Sequence, residues 1–120
     1  MHVYFVRHGH TDANARHLYQ APNTPLNGVG YDASRTVGEF LRPMNPTCIL
    51  TSTYVRALET ARIIGQCVGV TPTPLYHLVE VGWPTRLIGK SLFGLSALLF
   101  LCRSVVFRND PHSRYEDAEN

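Results

Sequence analysis

The stretch "VYFVRHGHTDAN", residues 3–14, decides the fold. Val3 to Val6 are β-branched and aromatic without alternation, the mark of a short strand buried on both faces. The run then breaks into Arg7-His8-Gly9-His10, a guanidinium and two imidazoles at what would be the strand's carboxyl end. A polar loop follows over 9–27, with "APNTP" as turn chemistry.

Working outward, Asn27 can cap a helix whose apolar residues Val29, Ala33, Val37 and Phe40 recur at helical steps, widened by Leu41. Pro43 and Pro46 end it. "TCIL", 47–50, reads as a second buried strand, and Thr51-Ser52-Thr53 can cap a second helix. That helix carries Ala57, Ala61, Ile64 and Val68 on one face and stops at Gly69. "VTPTPLYHLVE", 70–80, reads as a third strand. Its prolines remove ladder donors and predict a sheet-edge position. Strand, helix, strand, helix, strand is the order of an α/β fold with a mostly parallel sheet flanked by helices. Ligands in such sheets bind beyond the carboxyl ends of the strands. His8, Arg56 and Glu80 all fall at or just past those ends.

The bulk numbers narrow the function. A chain of 120 residues is sized for a single domain, 1–120. A net charge of +2, with no run of like charges, gives no basis for nucleic acid or an anionic membrane as partner. Cys48, Cys67 and Cys102 are odd in number and lack metal-like spacing, so they read as free, mostly buried thiols of a reducing compartment. The amino terminus does not read as a signal peptide, and the cytoplasm is the expected location. "SLFGLSALLFLCRSVVF", 91–107, falls short of the roughly 20 apolar residues a spanning helix needs and is broken by Arg103, so a buried helix is expected.

Each candidate site residue has a bland reading beside the chemical one. His8 is a competent nucleophile, or a structural histidine satisfied by a carbonyl. Arg7 beside it favours the neutral ring and offers a fork for phosphate or carboxylate oxygens. Gly9 marks a close backbone approach. Arg56, one turn into the second helix, adds a fork near a helix N-terminus, or is a solvated surface arginine. Glu80, between Val79 and Val81, suits a general acid, or is an exposed loop carboxylate. Asn14 can donate to an oxyanion or close an Asx-turn. Two arginines, a nucleophilic imidazole and an acid suit phosphoryl transfer, whose transition state spreads charge over three oxygens. No Walker motif or acidic metal-ligand cluster is present, so the expected route is metal-free, through a phosphohistidine.

In order, "RHGHTDAN" (7–14), "PLNGVG" (25–30), "TSTYVRALETA" (51–61) and "LVE…GKS" (78–91) resemble the histidine phosphatase superfamily, the phosphoglycerate-mutase-like proteins. The resemblance runs over about 3–91 and more weakly over "SRYEDAE" (113–119). It implies a three-layer sandwich, with His8 as the phosphorylated nucleophile and Glu80 as proton donor to the leaving group. Arg7 and Arg56, with Asn14, would hold the phosphoryl oxygens. No metal or cofactor is implied for the phosphatase branch, and the partner would be a small phosphorylated metabolite.

Two departures stand out. Family members carry a second histidine after a later buried strand. His112 follows a strand-like "SVVFRNDP", but "HSRYEDAEN" fits better with a segment preceding that strand; His10 fits the role less well still. In the family the later strand lies between the first two, so Val3–Val6 and Thr47–Leu50 are left with no direct ladder. Ile88 also stands where many relatives carry an acid. The expectation is an incomplete phosphoglycerate-mutase-like fold, truncated at its carboxyl end or completed by a strand from elsewhere, residues 98–107 included. Its function would be that of a metal-independent phosphatase. The alternatives are an inactive phosphate-binding module and a mutase-type phosphotransferase. An exposed sheet edge would also favour a homodimer.

Overall fold

In a computed structural model, which describes residues 2–79 and 85–91, the chain divides into two units. The first holds the described residues up to Asp12 and from Pro22 onward to 79; the second holds 13–21 and 85–91. The elements in chain order are α1 (Asp12–Ala15), α2 (Gly28–Leu41), β1 (Leu50–Thr51), α3 (Val55–Val68) and β2 (Thr73–Pro74). Short 3-10 turns cover Arg42–Met44, Tyr76–Leu78 and Thr85–Leu87. Glu80, His112, Cys102 and the apolar run after Ser91 lie outside the described residues. No described helix is long and apolar enough to cross a membrane.

The core of the first unit is the pair α2 and α3. Asn27 caps α2 as expected: its side-chain oxygen accepts the N–H of Gly30 at 3.0 Å. The packed face differs from the expected one. Val29 and Phe40 are each 65% exposed, while Gly30, Ser34, Gly38 and Leu41 are buried. The reason is backbone proximity. A Cβ on Gly38 would stand 2.7 Å from Cys67 Cβ and 3.2 Å from Ile64 Cα, so α3 sits where only a small-residue face admits it. α3 presents Arg56, Thr60, Ala61, Ile64 and Gly65 as its buried residues and ends at Gly69, whose φ of 77° is the left-handed cap expected there. At its start the cap residue is Tyr54 rather than one of 51–53; Ser52 contributes by accepting the Tyr54 N–H at 3.1 Å. Across the helix ends, Arg42 donates to the Cys67 carbonyl at 2.9 Å and pairs with Glu39 at 2.9 Å.

The sheet is parallel, as expected, but much shorter. β1 pairs with β2 in the register Leu50 with Thr73 and Thr51 with Pro74. Thr73 N–H donates to Ile49 O and Leu75 N–H to Thr51 O, both at 2.8 Å. Successive backbone donors on a strand alternate sides, so the missing donor of Pro74 falls on the outer edge, where it costs no bond. The expected strand over 70–80 shrinks to two residues, passing into the 3-10 turn at Tyr76. "TCIL" is likewise not a buried strand: Leu50 is 54% exposed and Cys48 is an exposed free thiol, so the expectation of mostly buried cysteines fails there. Val3–Val6 is the largest departure. It forms no strand, and Phe5 is 96% exposed. A strand exists only with a ladder partner. None stands beside these residues among those described.

The second unit is small. Tyr19 N–H donates to Lys90 O at 3.0 Å and Gly89 N–H to Tyr19 O at 2.9 Å, forming bridges between 18–19 and 88–91. Tyr19 and Leu87 are buried together beneath them.

Candidate active site

The residues after Val6 lose their freedom one by one on the α2–α3 pair. Gly9 N–H donates to Thr60 Oγ1 at 2.9 Å, and Thr60 Oγ1 donates in turn to the Arg56 carbonyl at 2.8 Å. The His8 turn is thereby tied to the first turns of α3, and to Arg56's own backbone. On the α2 side the approach is closer. A Cβ on Gly9 would lie 2.6 Å from Gly30 O and 2.8 Å from Ser34 Oγ, and one on Gly30 would overlap His10 O and stand 2.7 Å from His10 N. Two glycines therefore cross directly. Ser34 keeps its hydroxyl satisfied by donating to Gly30 O at 2.7 Å. Thr11, the next residue of the loop, is fully buried.

The His8 ring is half-buried, with Nδ1 2.8 Å from the Gly9 carbonyl oxygen. A carbonyl oxygen only accepts, so in the neutral ring Nδ1 carries the proton and Nε2 holds the lone pair. One nitrogen anchors the ring and the other is left for attack. Arg7 is exposed. Arg56 is only 4% exposed, which removes the surface-arginine reading. Its guanidinium lies over the Tyr54 ring, 4.8 Å from the centroid.

The structure thus brings His8 and Arg56 into one bonded assembly within the first unit. Asn14 belongs to the second unit, and Glu80 lies outside the described residues. Among the described residues, no three His, Cys, Asp or Glu side chains are grouped as they would need to be to hold a metal ion.

Sequence reasoning overlooked Thr60, Ser34 and Thr11. The available signal was Thr60's position four residues after Arg56, on the same helix face. The 22–27 segment is pinned from the same helix: Glu59 accepts the Leu26 N–H at 2.8 Å and the Tyr31 hydroxyl at 3.2 Å, and Val55 N–H donates to Pro22 O at 3.0 Å.

Comparison with known proteins bears on the family and the fold. Residues 3–89 match the model of the histidine phosphatase superfamily (branch 1). Over 82 residues the chain is 37% identical to the "Probable phosphoglycerate mutase GpmB" of Salmonella typhi, covering 68% of this chain and 38% of that protein. Among solved structures, a mycobacterial glucosyl-3-phosphoglycerate phosphatase in complex with VO3 superposes with a TM-score of 0.65 at 27% identity, covering 72% of this chain and 43% of that one. The phosphoserine phosphatase of Entamoeba histolytica, in complex with 3-phosphoglyceric acid, shares the fold at a TM-score of 0.63 and 22% identity, over 81% and 50% of the two chains. The chain spans about two fifths of the length of the curated relative it matches.

Proposed function

The chain belongs to the histidine phosphatase superfamily, and on that footing we propose that it carries the site of a metal-independent phosphatase for small phosphate monoesters. The supporting observation is the 2.8 Å contact of His8 Nδ1 with the Gly9 carbonyl oxygen, which in the neutral ring leaves Nε2 as a nucleophile on a loop bonded to α3. In the proposed reaction Nε2 attacks phosphorus, the bond from phosphorus to the ester oxygen breaks, and that oxygen takes a proton from Glu80. Water then attacks the phosphohistidine and releases inorganic phosphate. Arg7, Arg56 and Asn14 hold the phosphoryl oxygens, countering the charge that spreads over them in the transition state. The buried Arg56 is suited to that work, because a guanidinium away from bulk water interacts more strongly with an anion. The exposed free thiol of Cys48 supports a reducing compartment such as the cytoplasm.

The experiment is hydrolysis of p-nitrophenyl phosphate with chelator present, comparing the chain with His8→Ala. Phosphate release that the substitution abolishes is expected. Equal release by both would sink His8 as nucleophile. No release by either, with vanadate still bound, would leave a phosphate-binding module. A second reading, a mutase-type phosphotransferase, is favoured by the likeness to GpmB. It predicts phosphoryl transfer between phosphoglycerate positions in preference to release into water.

A further inference from the structure

Asn27 does more than cap a helix. Its Oδ1 takes the Gly30 N–H at 3.0 Å. A backbone N–H only donates, so this bond orients the side-chain amide and turns Nδ2 the other way. Nδ2 has two hydrogens and two partners in reach: His10 Nδ1 at 3.1 Å and Asp12 Oδ1 at 3.2 Å. The backbone N–H of Asn27 donates to His10 O at 3.0 Å. One residue thus joins the N-terminus of α2 to two residues of the loop that follows His8, through three bonds.

The geometry also assigns a tautomer. Nδ2 cannot accept, so His10 Nδ1 must hold a lone pair, and the neutral ring carries its proton on Nε2. His8 is the reverse, with its proton on Nδ1. Two imidazoles two residues apart are thus set in opposite tautomers by different partners. We propose that Asn27 is a positioning residue for the His8 loop. It locks residues 10–12 onto α2 and fixes the exposed His10 ring as an Nε2–H donor, available to an oxygen of the substrate beyond the phosphoryl group. This rests on the phosphatase reading, but the clamp itself can be tested without turnover.

The test is histidine 15N NMR of the 120-residue chain, with the His10 signals assigned by their loss in His10→Ala. In the unsubstituted chain the unprotonated nitrogen of neutral His10 should be Nδ1, and that of His8 should be Nε2. Asn27→Asp and Asn27→Ser both keep an oxygen for the Gly30 N–H, so α2 remains capped. In Asn27→Asp the new acceptor faces His10 and should move its proton to Nδ1. In Asn27→Ser the two His10 tautomers should mix. Inorganic phosphate, followed by its 31P shift, should bind about tenfold more weakly to Asn27→Ser, because small misplacements of a reacting loop are costly. An unchanged His10 tautomer in both variants, with phosphate affinity within twofold, would overturn the proposal. Absence of phosphate binding by the unsubstituted chain would overturn the phosphatase reading instead, and the tautomer would still decide the clamp.

Discussion

Gly30→Ala should unfold the junction between α2 and the His8 loop. Elsewhere in a helix the change is favourable, by up to about 1 kcal/mol. Here the new methyl would be driven into the His10 backbone, overlapping its carbonyl oxygen and standing 2.7 Å from its nitrogen. Backbone cannot rotate away as a side chain can, so either α2 or the loop must shift. Overpacking costs about 1–3 kcal/mol, and a clash with unyielding backbone falls at about 2–3, which leaves a net loss of about 1–2 kcal/mol after a helical gain of about 1. At roughly 4–8 °C per kcal/mol for a domain of this size, Tm should fall by about 5–15 °C. The amide shifts of Gly9 to Asp12 should move with it. Gly28→Ala is the control: nothing lies within 4 Å of its Cβ position, and its melt should equal or slightly exceed that of the unsubstituted chain. A Gly30→Ala chain melting no lower than the Gly28→Ala control, with the 9–12 amides unmoved, would refute the close crossing of the two glycines.

Three further outcomes are expected. Thr60→Val keeps shape but removes the acceptor of the Gly9 N–H; it should destabilise by about 1–2 kcal/mol in urea and weaken vanadate binding, and unchanged values for both would remove Thr60 from the site. Tyr31 holds its proton to higher pH than an ordinary tyrosine, chiefly because Glu59's negative charge opposes phenolate formation, with desolvation and the hydrogen bond adding to it. Its folded value lies above its unfolded one, so its contribution to stability is complete below the unfolded value and is lost as pH rises through the folded value. Glu59→Gln should bring Tyr31 ionisation to lower pH in an ultraviolet titration, with Tyr31→Phe identifying the signal; superimposable curves would contradict the pairing. Phe5→Lys, at a position 96% exposed, should leave stability within about 0.5 kcal/mol in a urea melt. A large stability loss would mean that Phe5 is packed after all.

The legible parts of the fold were those with local causes. Asn27 at the start of α2 and Gly69 at the end of α3 announce themselves through capping chemistry that involves only nearby backbone. The face of α2 was not legible from its apolar stripe. Val29 and Phe40 satisfy the helical period, yet Gly30, Ser34 and Gly38 face inward, because the limit there is the distance between backbones, not hydrophobicity. Val3–Val6 has strand composition, but pairing is a property of two segments, and no residue in that stretch can specify the other. The candidate site shows the same division. Arg7, His8 and Arg56 stand out by residue type. Thr60 shares a helix face with Arg56, but its partner is known only when folding brings Gly9 across 51 positions to its hydroxyl.

The proline of β2 gives the sheet a direction of growth. At Pro74 the outer margin has no hydrogen to offer, so a strand arriving there would meet a gap in its ladder. The opposite margin differs: Ile49 and Thr51 spend their carbonyls on β2, and Leu50 between them turns its N–H and C=O the other way. Any strand that lengthens this sheet, whether from the same chain or another molecule, will find its full complement of backbone partners only on the Leu50 side. The position of one pyrrolidine ring thus makes accretion one-sided, and a fibre or exchanged dimer of this chain should carry Pro74 on its outer boundary.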